Sequence, residues 1–405
     1  MAGAVTAHPR SPPRPNRAAP LPYLVAGLAG AGIVAYLIIW GRRYGLDLKV
    51  YRGSVQAWHR GLNPYDGTYT ASRLDFTYPP FALLVLSALA WGSFAVTQWL
   101  LWAVSIAAAT ASVVIVLRDR GVAGGSRLWC ASFAWTGAAV LVLEPARSGL
   151  DYGQIEFVLM FLVVADLLAI PAPFRGVVVG VASAIKLTPL VFLIVLLTRR
   201  DWASTVRALV SFVVWTAFTW LLWPAESRVF WRNDVIQTSR VGNVTDPSNQ
   251  SWNAVVHRPP FPATGSTAVW LLLSGLTLVI ATVIAWRCTR TGRQAFAVIA
   301  IAFAGLLVSP ISWSHHWVWV LLVPPLLIGP RRLAVPGPVR LMFWGLVVLT
   351  VAGPYWWWSG TLREALDAIL PLWTFALLSV WAALELIAWR TADGRRTTVT
   401  TPSCG

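Results

Sequence analysis

Apolar stretches of membrane-spanning length recur along this chain, and they constrain its fold more than any other feature. Of its 405 residues, 57% are hydrophobic and 12% are charged. A helix needs about 20 predominantly apolar residues to cross the hydrocarbon core of a bilayer. Such runs predict spans at residues 23–40, 94–117, 128–144, 155–170, 204–223, 266–286, 293–309, 317–329, 340–357 and 371–389. The sequence therefore predicts an all-α, polytopic membrane protein.

Two further apolar segments are interrupted or short. Segment 176–198 is broken at Lys186-Leu187-Thr188-Pro189, where the proline removes a backbone donor and ends a helix. We expect two short crossings there. The run 80–91 is too short to span comfortably and is expected to dip into the membrane. In total, about twelve transmembrane helices are predicted, with both termini on one side.

The distribution of arginine orients these helices. Basic residues concentrate in short loops on one side, while most acidic residues fall on the other side. The positive-inside rule makes the basic side cytoplasmic. It predicts a plasma-membrane protein with cytoplasmic termini. The predicted organisation is a basic, Pro-rich tail at 1–22, a transmembrane domain at 23–389 and a tail at 390–405, with outer loops at 41–79, 145–153, 224–262 and 310–316.

The formal charge of +16 has a membrane explanation under this topology. Cytoplasmic loops rich in arginine face an anionic lipid surface. We therefore expect membrane lipids as partners and no nucleic acid. Cys130, Cys288 and Cys404 are scattered without metal-ligand spacing. No carboxylate cluster indicates a metal either, so neither a metal nor a cofactor is predicted.

Two adjacent histidines, His315 and His316, lie in a polar segment between two apolar runs, just after Pro310. Polar, irregular backbone at membrane depth is costly unless it lines a cavity or faces water. A histidine can donate hydrogen bonds to an anion. The segment is predicted to form part of an active or binding site at the outer face. The alternative is a pair of interfacial histidines without a ligand.

Asp47 lies a few residues beyond the first predicted span. A partly desolvated carboxylate at such a boundary can serve as a general base. The alternative is an N-cap for the helix that the pattern predicts over the following residues.

Lys186 is a charged residue within an apolar segment, which indicates a functional site. Its alternative role is snorkelling to a lipid headgroup. Tyr78 stands in an aromatic, Pro-rich entry to the membrane and is a candidate for lining a sugar site, or for scaffolding. Gln154 and Glu156 begin a predicted span, where they either bind a sugar or stabilise a helix terminus.

Asn249, Gln250 and Arg258 occupy the large outer loop. Side-chain amides and a guanidinium suit recognition of a carbohydrate or a phosphate. They suit an ordered loop equally well.

The order of these motifs along the chain resembles glycosyltransferase family 87. The resemblance rests on Asp47 and on Phe76-Thr77-Tyr78-Pro79-Pro80, Tyr152-Gly153-Gln154-Ile155, Ile185-Lys186-Leu187-Thr188-Pro189, Asn249-Gln250-Ser251 and Ser309-Pro310-Ile311-Ser312-Trp313-Ser314-His315-His316-Trp317. It covers about residues 40 to 330. Members of this family are polytopic enzymes of the GT-C fold that use polyprenyl-phosphate sugars.

Within that family, the chain most resembles α-(1→2)-mannosyltransferases that build phosphatidylinositol mannosides, lipomannan and lipoarabinomannan. The resemblance implies a polyprenyl-phosphate mannose donor and a lipid-anchored glycan acceptor. It makes Asp47 the catalytic base and places His315 or His316 near the donor phosphate. Lys186 or Arg258 nearby is expected to help stabilise the leaving phosphate. The implied chemistry is a single displacement with inversion. An arabinofuranosyltransferase using polyprenyl-phosphate arabinose remains an alternative.

A lipid or sugar transporter is the alternative from another class of protein. Transporters often carry interrupted helices at matching positions in two repeats. The break at Lys186 to Pro189 has no second copy in this sequence. The polar motifs are also predicted to gather at one face rather than at the midplane, which favours an enzyme.

Overall fold

The fold is built from helices. The computed structural model describes residues 21–39, 45–237, 240–259, 266–330, 334–356 and 366–397. Within these ranges no strand forms, and β pairing is limited to two isolated bridges, Thr68 with Asp75 and Asn249 with Trp313. The all-α prediction is confirmed for this part of the chain.

Long and short helices alternate along the described ranges. The α-helices are α1 (Leu21–Ile39), α2 (Leu46–His59), α3 (Pro80–Leu86), α4 (Phe94–Asp119), α5 (Ser126–Val142), α6 (Glu144–Tyr152), α7 (Glu156–Leu168), α8 (Val177–Ile185), α9 (Leu193–Thr198), α10 (Trp202–Leu222), α11 (Pro224–Arg232), α12 (Trp252–His257), α13 (Ser266–Arg290), α14 (Gln294–Val308), α15 (Val323–Leu327), α16 (Gly337–Ala352) and α17 (Ile369–Thr397). The 3₁₀ helices are Ser87–Ala90, Thr188–Phe192, Asp234–Ile236, Ser314–Leu322 and Pro354–Trp356.

Six helices in the described ranges are long and apolar enough to cross a membrane. They include α1, α4, α10 and α13, with two more near the C-terminus at Gly337–Trp356 and Ile369–Thr391. Helices α5 and α6 meet at 85° and give a seventh if the bent pair is one span. The chain is thus a multi-pass helical protein. The figure of about twelve crossings stays a prediction, because several predicted runs form helices shorter than a full span.

The break predicted in segment 176–198 is present. Helix α8 ends at Ile185, and Lys186 is extended with φ −147° and ψ 134°. A 3₁₀ turn with Pro189 in its first positions follows. The predicted span at 317–329 is different, because it forms a 3₁₀ helix and then only the five residues of α15. Pro324 and Pro325 supply no backbone donors, which explains why a long α-helix does not form there.

Helix α14 crosses the centre of the molecule and separates two ends with different chemistry. Nearly all of its 15 residues are buried, and it spans about 22 Å at 1.5 Å per residue. Before its first turn, Arg293 forms a paired salt bridge with Glu385 of α17 at 2.6 Å. After its last turn, the chain enters residues 309–317, which contain His315 and His316 and which we call the histidine segment. We call these two ends the basic end and the site end.

Two glycines hold α2 against α6 at the site end. Gly45 precedes α2 with φ 50°, and its N–H donates to the Asp151 carbonyl at 2.7 Å. Gly153 ends α6 with φ 74°, and a Cβ there would lie 2.8 Å from the Leu48 side chain. Both positions require a residue that tolerates positive φ without a side chain. Asp47, two residues after Gly45, and Gln154, the residue after Gly153, are thereby brought together.

Candidate active site

A cavity of about 240 Å³ opens at the site end. Its walls come from α2, the segment 74–79, the end of α6, the break after α8, the segment 230–241 and the histidine segment. Five of the residues selected from the sequence line it: Asp47, Tyr78, Gln154, Lys186 and His316. Residues separated by up to 269 positions in the chain therefore share one cavity.

Asp47 lies in the first turn of α2 and does not cap it. The N-cap residue is Gly45, and no side chain caps this helix. The N-cap alternative for Asp47 is therefore wrong. Its carboxylate instead accepts a 2.7 Å hydrogen bond from Nε2 of Gln154.

Burial raises the pKa of the Asp47 carboxyl to about 6. The hydrogen bond from Gln154 and the charge of Lys186 oppose this rise, and the charge of Glu156 adds to it. A general base works best when its pKa lies near the working pH. Asp47 is thus ionised near neutral pH while remaining basic enough to accept a proton.

Gln154 links Asp47 to two other elements. Its Oε1 accepts a 2.9 Å hydrogen bond from the Tyr51 hydroxyl, and its Nε2 lies 3.1 Å from Nε2 of His315. Both polar atoms of the amide are engaged, and its Nε2 holds the Asp47 carboxylate in one orientation. Tyr51 was not selected from the sequence, although it lies one helical turn after Asp47 on the same face of α2.

Lys186 forms a compact charged group with Glu156. The two side chains make an ion pair and are only 17% and 11% exposed. The ammonium also lies 3.4 Å from the Tyr78 hydroxyl and 3.5 Å from Nε2 of His316. Snorkelling to a headgroup does not describe this geometry. Glu156 begins α7, so it stabilises a helix N-terminus and pairs with Lys186 at once.

The two histidines have different surroundings. His316 lines the cavity beside Lys186, whereas His315 is buried behind it, against Gln154 and the ring of Tyr152. Their rings are perpendicular with centroids 4.7 Å apart. Burial lowers the pKa of both imidazoles well below the usual range, and Lys186 lowers that of His316 further. His316 is therefore the histidine that a ligand in the cavity meets, as a neutral imidazole.

Glu144, the first residue of α6, holds the histidine segment in place. Its Oε1 accepts hydrogen bonds from the Ser314 hydroxyl at 2.9 Å and from the Trp356 indole at 3.1 Å. The Tyr355 hydroxyl donates to its other oxygen. Glu144 was not selected from the sequence, although a glutamate between apolar residues and Pro145 was an available signal.

Asn249, Gln250 and Arg258 lie behind the histidine segment and do not line the cavity. Oδ1 of Asn249 accepts from the Ser312 N–H at 2.9 Å, and the Gln250 N–H donates to the Ser312 carbonyl at 2.7 Å. Arg258 donates to the backbone carbonyls of Asn249 at 2.6 Å and of Asp367 at 3.1 Å. These contacts correspond to the ordered-loop alternative, with all three residues supporting the site from outside.

A second charged group, not selected from the sequence, lines the cavity from the segments 74–79 and 230–241. Arg240 lies 2.9 Å from Asp234 and 3.5 Å from Asp75. It also donates to the Tyr65 carbonyl at 2.6 Å. Gln237 completes this wall. The charges that act on Asp234 are those of Arg240, Asp66 and Asp75, whereas those that act on Asp47 are Lys186 and Glu156.

A smaller cavity of about 50 Å³ adjoins the first at Lys186, Thr188, Ser309 and His316. Beyond these residues its walls are mostly apolar, including Leu159, Met160 and Phe192. The charged group around Lys186 therefore lies where a polar cavity meets an apolar one.

The fold and site together define a multi-pass membrane protein with a buried carboxylate, a lysine and a histidine in one cavity. Comparison with known proteins identifies the family. Residues 76–310 match the model of glycosyltransferase family 87, so the chain belongs to that family and the resemblance is confirmed. Asp47, His315 and His316 lie outside the matched segment.

Two relatives are mannosyltransferases by name. A polyprenol-phosphate-mannose-dependent alpha-(1-2)-phosphatidylinositol mannoside mannosyltransferase of Mycobacterium tuberculosis is 34% identical over 74% of this chain and 73% of its own length. A polyprenol-phosphate-mannose-dependent alpha-(1-2)-phosphatidylinositol pentamannoside mannosyltransferase from another strain of that species is 33% identical over 95% of this chain and 90% of its own.

A more distant relative acts on another sugar. It is an alpha-(1->3)-arabinofuranosyltransferase of Corynebacterium glutamicum, 23% identical over 78% of this chain and 82% of its own length. No solved structure matches the chain.

Proposed function

We propose that this protein transfers mannose from polyprenyl-phosphate mannose to a mannose hydroxyl of a lipid-anchored glycan, forming an α-(1→2) linkage with inversion. The proposed acceptor is a phosphatidylinositol mannoside, lipomannan or lipoarabinomannan. The observation that carries the proposal is the shared cavity. It is lined by Asp47, which accepts a hydrogen bond from Gln154, and by Lys186, which lies beside His316. The names of the relatives supply the sugar and the linkage.

The donor is proposed to bind where the two cavities meet. Its phosphate accepts hydrogen bonds from Lys186 and His316, which face the larger cavity, and the apolar walls of the smaller one mark the side from which its polyprenyl chain approaches. An ammonium and an imidazole N–H are suitable donors to phosphate oxygens. Arg258 has no part in this scheme, since its guanidinium is engaged with backbone carbonyls.

The reaction is a single displacement at the anomeric carbon. The acceptor hydroxyl oxygen forms a bond to that carbon while the bond to the phosphate oxygen breaks. Asp47 takes the hydroxyl proton as charge develops. Lys186 and His316 stabilise the departing polyprenyl phosphate. One carboxylate suffices for this inversion, unlike the two that a retaining double displacement uses.

The chain is proposed to have the GT-C architecture, with the site end outside the plasma membrane and the basic end and both tails in the cytoplasm. Support comes from α14, which places Arg293 and the histidine segment at opposite ends of one buried helix. A reporter fused after Arg127 or Arg200 should read as cytoplasmic, and one inserted near Asn249 as external. A cytoplasmic loop around Asn249 would contradict the use of an external lipid-linked donor.

The substrate is tested directly by incubating purified enzyme with radiolabelled polyprenyl-phosphate mannose and, separately, with polyprenyl-phosphate arabinose. We expect transfer of mannose to a phosphatidylinositol mannoside and none of arabinose. The product linkage is then read by digestion with a linkage-specific mannosidase. Transfer of arabinose alone would favour the branch represented by the distant relative.

A further inference from the structure

The charged group formed by Asp75, Asp234 and Arg240 is not used in the donor chemistry described above. Asp234 is its most buried member, with a side chain only 5% exposed. One carboxylate oxygen, Oδ1, accepts from Arg240 at 2.9 Å, whereas Oδ2 is buried at the cavity wall without a hydrogen-bond partner. A buried acceptor without a donor costs about 1–3 kcal/mol. Asp234 lines the cavity, so a ligand there that brings its own donor would satisfy this oxygen.

The local charges select the class of that ligand. Two carboxylates disfavour a phosphate at this wall, and Arg240 lies within reach of both of them, which disfavours a cation. A neutral group with hydroxyl donors satisfies both conditions. Phe230 and Trp313 line the same cavity, and aromatic rings provide an apolar surface for the C–H face of a sugar ring.

The geometry of an inverting displacement indicates whether the donor sugar or the acceptor sugar meets Asp234. The attacking hydroxyl must approach the anomeric carbon from the face opposite the leaving phosphate. Lys186 and His316 mark the phosphate position, and they are carried by elements different from those of Asp234. No ion pair joins the two charged groups in the described ranges. The wall formed by Asp234 is thus available to the acceptor.

We infer that Asp234, held by Arg240 and flanked by Asp75, accepts a hydrogen bond from a hydroxyl of the acceptor sugar. This inference rests on the proposed function and adds an acceptor subsite to it. Asp234 is then a specificity-determining residue, because its carboxylate accepts only from a hydroxyl at the matching ring position. A site built to bind a hydroxyl strongly rejects the analogue that lacks it.

The test pairs a variant with altered acceptors. Synthetic mannoside acceptors, each with one hydroxyl replaced by hydrogen, are assayed with the parent enzyme and with Asp234→Asn. For one of these acceptors we expect the parent to show an acceptor KM raised about 10- to 100-fold, as for a hydrogen bond to a charged group. Asp234→Asn should show a similar rise with the full acceptor, little further loss with that deoxy acceptor, and an unchanged donor KM. Asp66→Asn is the matched control, because Asp66 is an exposed aspartate of the loop that carries Asp75 and its charge also acts on Asp234.

A second variant protects the test against misfolding. Asp234→Ala combined with Arg240→Leu removes both partners and leaves no unpaired charge of that pair. It should reproduce the insensitivity to the same deoxy acceptor. The inference would be overturned if, for every deoxy acceptor, the effect of Asp234→Asn multiplied the effect of the missing hydroxyl. It would also be overturned if the variant raised the donor KM and not the acceptor KM. Either result would leave the proposed function intact. A parent enzyme that transfers no mannose would instead overturn the proposed function and the inference with it.

Discussion

The side-chain amide of Gln154 donates a 2.7 Å hydrogen bond to the carboxylate of Asp47, across 107 residues of sequence. This bond fixes the orientation of the proposed base, because the other polar atoms of the amide are held by Tyr51 and His315. The base is thus positioned by a neutral group that lowers its pKa without neutralising its charge. An ion pair with Lys186 would have held Asp47 more strongly but made it a weaker base.

Replacing Gln154 should reduce turnover without moving the donor site. We expect Gln154→Leu to lower kcat about 10- to 100-fold, as for loss of a hydrogen bond to a charged group. Since that bond lowers the pKa of Asp47, its loss should also move the acidic limb of the pH–rate profile to higher pH. Gln294→Leu, at the basic end, is the control and should keep the parental profile. An unchanged acidic limb in Gln154→Leu would argue against a positioning role.

The parent enzyme should itself depend on pH through Asp47. The base works only when ionised, and burial raises its pKa to about 6. We therefore expect kcat/KM to be level above that pH and to fall about tenfold per unit below it, as for a single required ionisation. Steady-state rates over the acidic range, with folding checked at each pH, measure this. A constant rate down to pH values near the ordinary range of an aspartate would contradict the shifted base.

The ion pair of Lys186 with Glu156 allows structural and functional roles to be separated. Lys186→Met leaves the Glu156 carboxylate partly buried without its cation, so both stability and activity should fall. Adding Glu156→Gln should restore thermal stability but not turnover, which we expect to stay about 10²–10³ below the parent because the donor phosphate loses a hydrogen bond. Arg293→Met with Glu385→Gln removes a buried pair at the basic end and controls for charge loss alone. Parental turnover in the Lys186/Glu156 double variant would show that Lys186 is structural.

The two histidines should respond differently to substitution. His316 lines the cavity, so we expect His316→Ala to lower kcat by about 10²–10³, the usual cost of losing one preorganised donor. His315 contacts Gln154 instead, so His315→Ala should act through Asp47 and change the pH–rate profile. Near-normal turnover in both variants would support the alternative of interfacial histidines without a ligand.

Much of this architecture follows from local signals in the sequence. Hydropathy indicates the long apolar helices, and Pro189 locates the break that follows Lys186. The position of Asp47 just beyond the first predicted span and the charge of Lys186 within an apolar segment indicate the site. These features depend on composition within a few residues. They could therefore be predicted without knowing how the helices pack.

Contacts between distant segments could not be predicted in the same way. Residue type alone does not distinguish Arg258, whose guanidinium donates to backbone carbonyls, from Arg240, which lines the cavity. Gln154 was expected to bind a sugar, yet its amide is occupied by Tyr51, Asp47 and His315. Such assignments depend on which segments come into contact in the folded protein, and tertiary packing determines those contacts.

The replacement Asp47→Asn tests the account most directly. Asparagine keeps the shape of the side chain and an oxygen that can accept from Gln154, and it removes a buried charge, so the protein should fold normally. It cannot take up the acceptor proton. We predict normal thermal unfolding in detergent together with a loss of mannosyl transfer of about 10²–10⁴, not recovered at high acceptor concentration. A stable Asp47→Asn protein that transfers mannose at close to the parental rate would contradict the mechanism.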